Sequence, residues 1–206
     1  TNCRTYIVHV STAKSLSRIA QAQKEKLPIF AETCPQYFTF NDSVYAKPKA
    51  ESLGFIMSPP IRSEANRLGI EKHIAAGTVS TLGTDHCPFT LAQKQKGNNF
   101  TEIPNGAGGI QHRLSIFYSR FVHSKQLSFS RMAKLTAANS SSLFRLPNKG
   151  KIEVGFDADL VVWQEKALKV KDQMDYFKAM DKVTHRKGPH ADNHKDANPG
   201  NPRRRL

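Results

Sequence analysis

No run of this 206-residue chain approaches the roughly 20 consecutive apolar residues that a membrane-spanning helix needs, so nothing in it predicts a bilayer span. Cysteine is scarce. Cys3, Cys34 and Cys87 are odd in number and share no Cys-x-x-Cys spacing, which argues against both a disulfide framework and a structural zinc knuckle. A reducing cytoplasm is the simpler expectation. Acidic residues are few as well, 17 Asp and Glu against 31 Lys and Arg, for a net charge of +14. Such an excess can suit nucleic acid or anionic lipid, but the bases are scattered. Only Arg203-Arg204-Arg205 forms a run, with no aromatic-interleaved basic stripe beside it, so neither nucleic acid nor a membrane is expected as a partner. No secretory leader is expected from the opening stretch, where Thr1-Asn2-Cys3-Arg4 leads into an apolar run of only Tyr6 to Val10. With no initiating Met either, the expectation is a piece of something longer.

What is present begins with 38% hydrophobic residues, enough for a real core at this length. Tyr6 to Val10 reads as a strand, followed by Ser11-Thr12 as N-cap oxygens for a helix over 13–26 that carries Leu16, Ile19, Ala20 and Gln23 at helical spacing. Pro28 to Thr33 reads as a second strand ending at Cys34-Pro35. Phe55-Ile56-Met57 is a further apolar run, broken by Ser58-Pro59-Pro60. Residues 64–76 predict a helix with Leu68, Ile70 and Ile74 partly on one side and Gly77 as its C-cap, and Val79 to Leu82 the next strand. Further helices are expected at 110–122, at 130–138 with Ser130 as cap, and at 140–146. Two strands joined by a tight turn are expected at 150–155 and 158–163. Strand alternating with helix argues for an α/β fold with a parallel sheet. Only three or four β/α units are visible, whereas a complete (β/α)8 barrel takes about 250 residues, so the pattern fits an incomplete barrel or another α/β architecture.

The chemistry-bearing groups stand just past the strand ends, where barrel strands deliver them. His9 follows the first strand. Asp85 follows Val79 to Leu82, with Gly83 read as the residue that lets the backbone turn. Taken singly, His9 can be a hydrogen-bonded structural residue and Asp85 a turn or helix cap. Together an imidazole and a carboxylate are ordinary ligands of a hydrolytic zinc, and two at one barrel face would converge on one ion. His86 should point away from Asp85 on an extended chain and act structurally. Cys34 and Cys87 lack an obvious base partner, which disfavours a cysteine nucleophile. Ser58, held extended before Pro59, and Asn105, before Gly106, read equally well as turn residues.

As a set these pieces carry a resemblance. Tyr6-Ile7-Val8-His9-Val10-Ser11, Ala31-Glu32-Thr33-Cys34-Pro35-Gln36-Tyr37, Met57-Ser58-Pro59-Pro60-Ile61-Arg62, Gly83-Thr84-Asp85-His86-Cys87-Pro88-Phe89, Ile103-Pro104-Asn105-Gly106 and the stretch from Gly150 to Val161 occur in the order seen in dihydropyrimidinases and hydantoinases. Over residues 4–165 the chain resembles the C-terminal portion of such a cyclic amidohydrolase, of the amidohydrolase superfamily. The resemblance implies the C-terminal part of a (β/α)8 TIM-type barrel over 1–147, strands of a small β-sandwich over 148–170, and a divergent basic tail over 171–206, expected to be disordered. It implies two divalent metal ions, usually zinc, held by a His-x-His pair, a carbamylated lysine, two further histidines and an aspartate. His9 matches the last histidine and Asp85 the aspartate, which also serves as the catalytic proton carrier, while the other ligands belong to a preceding segment. Ser58 and Asn105 match positions whose backbone groups grip the ring amide of the substrate. The implied reaction opens the cyclic amide of 5,6-dihydropyrimidines or hydantoins to N-carbamoyl amino acids, a step of pyrimidine catabolism, in a cytoplasmic homotetramer, with this chain alone inactive. Allantoinase and dihydroorotase are the chemical alternatives. A non-catalytic relative resembling the collapsin response mediator proteins is the alternative of another class, which retention of His9 and Asp85 argues against.

Overall fold

Short apolar runs and local caps set the frame of the computed structural model, which describes residues 2–163. β1 (Thr5–Ile7) leads to α1 (Ala13–Lys24), and the Thr12 side chain accepts the Ser15 N–H as the N-cap the sequence predicts. Leu16 and Ile19 of α1 are buried, and Gln23 donates to the carbonyls of Ile29 and Thr78, tying the helix to both neighbouring strand entries. β2 (Ile29–Thr33) runs into α2 (Pro35–Thr39), which starts on a proline whose missing N–H costs nothing at a first helical position. A 3-10 turn (Asp42–Ala46), α3 (Lys49–Ser52) and a second 3-10 turn (Leu53–Phe55) follow, so the apolar run at 55–57 leaves a helical turn rather than forming a strand.

α4 (Glu64–Ala76) ends at Gly77, whose φ of 90° is the left-handed cap the sequence predicts. Ile70 and Ile74 are buried on it, but Leu68 faces solvent. A Cβ on Gly69 would lie 2.4 Å from that of Ala13, which shows how closely α4 crosses α1. β3 (Thr81–Leu82) completes a sheet of order β1-β2-β3, parallel throughout, with Tyr6 opposite Phe30, Glu32 opposite Thr81 and Thr33 opposite Leu82. Because all three strands run the same way, their carboxyl ends open on one edge. α5 (Leu91–Lys94) is capped by Thr90 and Gln93 reciprocally. α6 (Arg113–Phe117) continues into a π-helical stretch (Tyr118–His123). α7 (Phe129–Ala133), a second π stretch (Lys134–Ala138) and α8 (Asn139–Leu143) are contiguous, and Ser128 rather than Ser130 caps α7 by accepting the Arg131 N–H. Phe38, Phe117 and Phe121 form the aromatic centre of the core, with ring centroids 4.7–6.1 Å apart.

The strands expected at 150–155 and 158–163 do not form. Ile152, Val154 and Val162 are 91%, 102% and 95% exposed. A strand's backbone needs a neighbour's ladder, and no described segment offers one. The stretch is held by local contacts instead, the Asp157 N–H donating to the Asn148 carbonyl and Lys149 pairing with Asp157, both at 2.8 Å, and at its end by the Trp163 ring, 5.0 Å from that of Tyr118. The rest of the 148–170 region and the basic tail over 171–206 lie outside the described residues.

Candidate active site

His9 lies two residues past β1 and Asp85 three past β3, on the common edge of the parallel sheet. Both adopt left-handed backbone, with φ of 38° and 49°, a conformation that non-glycine residues keep only when their surroundings hold them there. For His9 the hold comes from β2. Its N–H donates to Glu32 Oε1 at 3.3 Å, and the next N–H, of Val10, to the Glu32 carbonyl at 2.8 Å. The Thr33 hydroxyl then donates to the Val10 carbonyl at 2.8 Å. For Asp85 the approach is fixed by Gly83, whose N–H donates to the Thr33 carbonyl at 3.0 Å, and by Gln36, which reaches the Thr84 carbonyl at 3.4 Å. The Asp85 side chain is exposed and His9 partly so.

Gly83 does not turn the chain as the sequence suggests. The left-handed residue is Asp85 itself, while at 83 the Glu32 carboxylate fills the space where a Cβ would sit, 2.3 Å from its Cδ, so any side chain there would have to displace it. Glu32 is thus the residue between the two candidate ligands. Its Oε2 accepts the Tyr6 hydroxyl at 2.8 Å, and that hydroxyl also lies 2.6 Å from the Thr81 hydroxyl, so one polar group from each strand meets in the sheet. Burial pushes the Tyr6 phenol well above its usual range, and Glu32 adds to the shift while the Thr81 hydrogen bond opposes it. Its proton stays in place.

Asp85 leads through His86 and Cys87 to the third and fourth candidates. His86 pairs with Ala107 as a parallel bridge, and its Nδ1 accepts the Gly109 N–H at 3.0 Å, the structural role expected of it. The Cys87 N–H donates to the Ala107 carbonyl at 3.0 Å. Next along the rim, the Ser58 hydroxyl donates to Asn105 Oδ1 at 3.3 Å, and the Gly106 N–H to the Ile56 carbonyl at 3.1 Å. The Tyr37 hydroxyl fixes the Pro59 carbonyl at 3.0 Å. Ser58 and Asn105, read from the sequence as separate turn residues, are therefore neighbours with exposed side chains. Hydrogen bonds tie the rim together in pieces: His9 to Glu32, Gly83 to Thr33, Cys87 to Ala107, and Ser58 to Asn105.

Burial, reinforced by the Glu32 and Asp85 carboxylates and only partly offset by Arg113, drives the Cys34 thiol far above its ordinary range. That disfavours it as a nucleophile near neutral pH. A metal fits this rim in kind but not in number. An imidazole and a carboxylate suit zinc, yet among the described residues no group of three or more His, Cys, Asp or Glu side chains gathers at ligating range. Two residues escaped the sequence reading. Glu32 was visible only as a charge inside an apolar strand, and Lys94, lost in a polar loop pattern, is 2% exposed and donates to the Ile56 carbonyl at 2.7 Å.

The family model for the amidohydrolase family matches residues 5–197. The chain is 37% identical over 161 residues to a D-hydantoinase of Geobacillus stearothermophilus, covering 77% of this chain and 34% of that protein. It is 34% identical over 170 residues to a dihydropyrimidinase of Rattus norvegicus, covering 81% and 33%. Among solved structures, the D-hydantoinase from Bacillus sp. AR9 superposes with a TM-score of 0.74 at 37% identity, over 77% of this chain and 35% of that one. The dihydropyrimidinase from Brevibacillus agri NCHU1002 gives 0.72 at 35% identity, over 76% and 35%. The chain spans about a third of the length of the relatives it matches.

Proposed function

The chain belongs to the amidohydrolase family, and from that premise we propose that it is part of an enzyme that hydrolyses the cyclic amide of 5,6-dihydropyrimidines or hydantoins to N-carbamoyl amino acids. The observation that carries the proposal is the single rim on which a parallel sheet presents His9 and Asp85, joined by hydrogen bonds to the loops of Ser58 and Asn105. In this reading the sheet is the C-terminal part of a (β/α)8 barrel, and residues 148–170 belong to a small β-sandwich that other segments complete. The whole protein is a cytoplasmic homotetramer, in keeping with Cys3, Cys34 and Cys87 all being free thiols.

His9 and Asp85 would hold a divalent metal centre, zinc in this proposal, with its remaining ligands supplied from outside residues 2–163. When bound, such a centre acidifies water and polarises the carbonyl under attack. The backbone groups of Ser58 and Asn105 hold the ring amide, leaving the substituted ring carbon free, so different substituents there should be tolerated. Asp85 takes the proton of the attacking water as the new C–O bond forms, and returns it to the ring nitrogen as the C–N bond breaks. The proton count closes without another donor. With two ligands, the 206-residue chain alone should carry metal well below one ion per chain and turn over none of these substrates.

Metal analysis and hydrolysis assays test this in two stages. The chain alone is expected to be inactive on 5,6-dihydrouracil. Co-expression with the segments of the Geobacillus stearothermophilus D-hydantoinase outside the match should restore metal and hydrolysis of dihydrouracil or hydantoin, and Asp85→Asn should abolish it. A metal-loaded assembly that acts on neither ring, or prefers allantoin or dihydroorotate, would overturn the substrate assignment.

A further inference from the structure

The Ile56 carbonyl, two residues before Ser58, is held from two sides. It accepts the N–H of Gly106, the residue after Asn105, at 3.1 Å, and the ammonium of Lys94 at 2.7 Å. Lys94 ends the one-turn helix α5 and, at 2% exposure, is the one buried charged residue among the described residues. The same junction is crowded by Cys87: a Cβ on Gly106, whose φ is +147°, would lie 2.3 Å from the Cys87 carbonyl oxygen. The segments carrying Ile56-Met57-Ser58, Cys87 and Asn105-Gly106 therefore meet at one carbonyl, with Lys94 beneath it.

A lysine is an expensive way to fill that space. Removing an ammonium from water is unfavourable unless it is paired, and an apolar side chain of similar length would fill the volume without that penalty. Nor is Lys94 needed to rescue the Ile56 carbonyl, which already accepts the Gly106 N–H. What the ammonium adds is a second, charge-assisted bond on the remaining lone pair, one that ties α5 to a junction otherwise joined by the Gly106–Ile56 bond and the exposed Ser58–Asn105 bond. Burial lowers the affinity of this amine for its proton, with the nearby Cys87 opposing that effect.

We propose that Lys94 is a positioning residue that fixes the spacing of the Ser58 and Asn105 loops, and so of the backbone groups that grip the substrate's ring amide, by holding the Ile56 carbonyl from below. The substrate part of this inference rests on the hydantoinase-type reading given above. It asks for a rigid pair of backbone clamps, since an error of about 1 Å in such groups is enough to spoil the orientation of a small ring.

The test is residue-resolved amide hydrogen exchange on the full 206-residue chain, comparing wild type with Lys94→Met, Lys94→Gln and Lys94→Arg. The Gly106 amide should exchange at least tenfold faster in Lys94→Met and be largely restored in Lys94→Arg, with the amides of Leu16 and Ile19 unchanged as a control of fold. Equal Gly106 protection in wild type and a folded Lys94→Met overturns the proposal. If Lys94→Met loses α1 protection too, the judgement passes to the other two variants: protection that follows the donor at position 94 upholds it, and identical protection overturns it. Addition of 5,6-dihydrouracil separates this from the parent reading. In the metal-loaded assembly with the co-expressed segments, binding of dihydrouracil that weakens about tenfold in Lys94→Met supports both, whereas no binding by the wild-type assembly sinks the substrate assignment and leaves the exchange data to decide the hold of Lys94 on the loops.

Discussion

The Glu32 carboxylate accepts the backbone N–H of His9 at 3.3 Å, so a side chain from the middle strand sets the left-handed turn in which the candidate ligand of the first strand sits. Glu32 also accepts from Tyr6 and packs against Gly83 on the way to Asp85. One carboxylate thus reaches the exits of all three strands.

Glu32→Ala should destabilise the chain by about 2 kcal/mol, because it removes a charge-assisted bond to the part-buried Tyr6 hydroxyl and the acceptor of the His9 N–H. Glu32→Gln keeps the shape and one acceptor and should lose less than half of that. Urea unfolding followed by circular dichroism measures both, and a wild-type midpoint for Glu32→Ala would refute the role.

Gly83→Ala should also destabilise, by about 1–3 kcal/mol, since its Cβ would meet Glu32 Cδ at 2.3 Å and both carboxylate oxygens within 2.7 Å. The effect should shrink when Glu32 is already alanine, because the atoms that clash are gone. A double-mutant cycle reads this directly, and additive losses would mean that Gly83 is required for another reason.

Stability should depend on pH through Lys94. Burial pulls its folded-state pKa down to about 8, against about 10.4 in an unfolded chain. Below pH 8 both states are protonated and the folded state bears the full penalty. Between pH 8 and 10 the unfolded state binds more protons, so the penalty is relieved as pH rises, by up to about 3 kcal/mol. Cys34 works in the opposite sense above about pH 8.5, because its thiol ionises only after unfolding. The clean measurement is therefore the difference between wild type and Lys94→Met, which should narrow from pH 7.5 to 9.5 if Met is the more stable. A difference that does not change with pH would contradict a depressed Lys94.

Phe121→Ala should cost about 3–5 kcal/mol, as it empties the fully buried centre shared with Phe38 and Phe117. Phe100→Ala, at a residue 76% exposed, should stay within about 0.5 kcal/mol. Comparable losses at the two positions would mean that the core is not organised around Phe121.

Much of the frame was legible because its causes are local. Thr12 and Gly77 cap their helices through bonds to backbone a few residues away, and a strand ending in a polar residue announces its exit whatever it packs against. Ser128 displaced Ser130 as a cap for an equally local reason, the extended backbone of Ser128, which residue type alone does not reveal. The strands expected over 150–163 failed on the opposite ground. Their apolar residues suit strands, but a ladder requires a partner that residue pattern cannot supply.

The amino-acid order by itself determined the α/β alternation, the parallel direction of the sheet and the polar residues His9 and Asp85 beyond its strands. Only the tertiary structure decided that Ser58 reaches Asn105, that Glu32 braces His9 while occupying the place of a Gly83 side chain, and that Lys94 lies buried under the Ile56 carbonyl. The physical reason is range. Caps and periodicity act over a few residues of chain and leave a mark in composition, whereas these contacts join residues 23 to 51 apart in the chain, through hydrogen bonds and close packing that exist only once the strands are side by side.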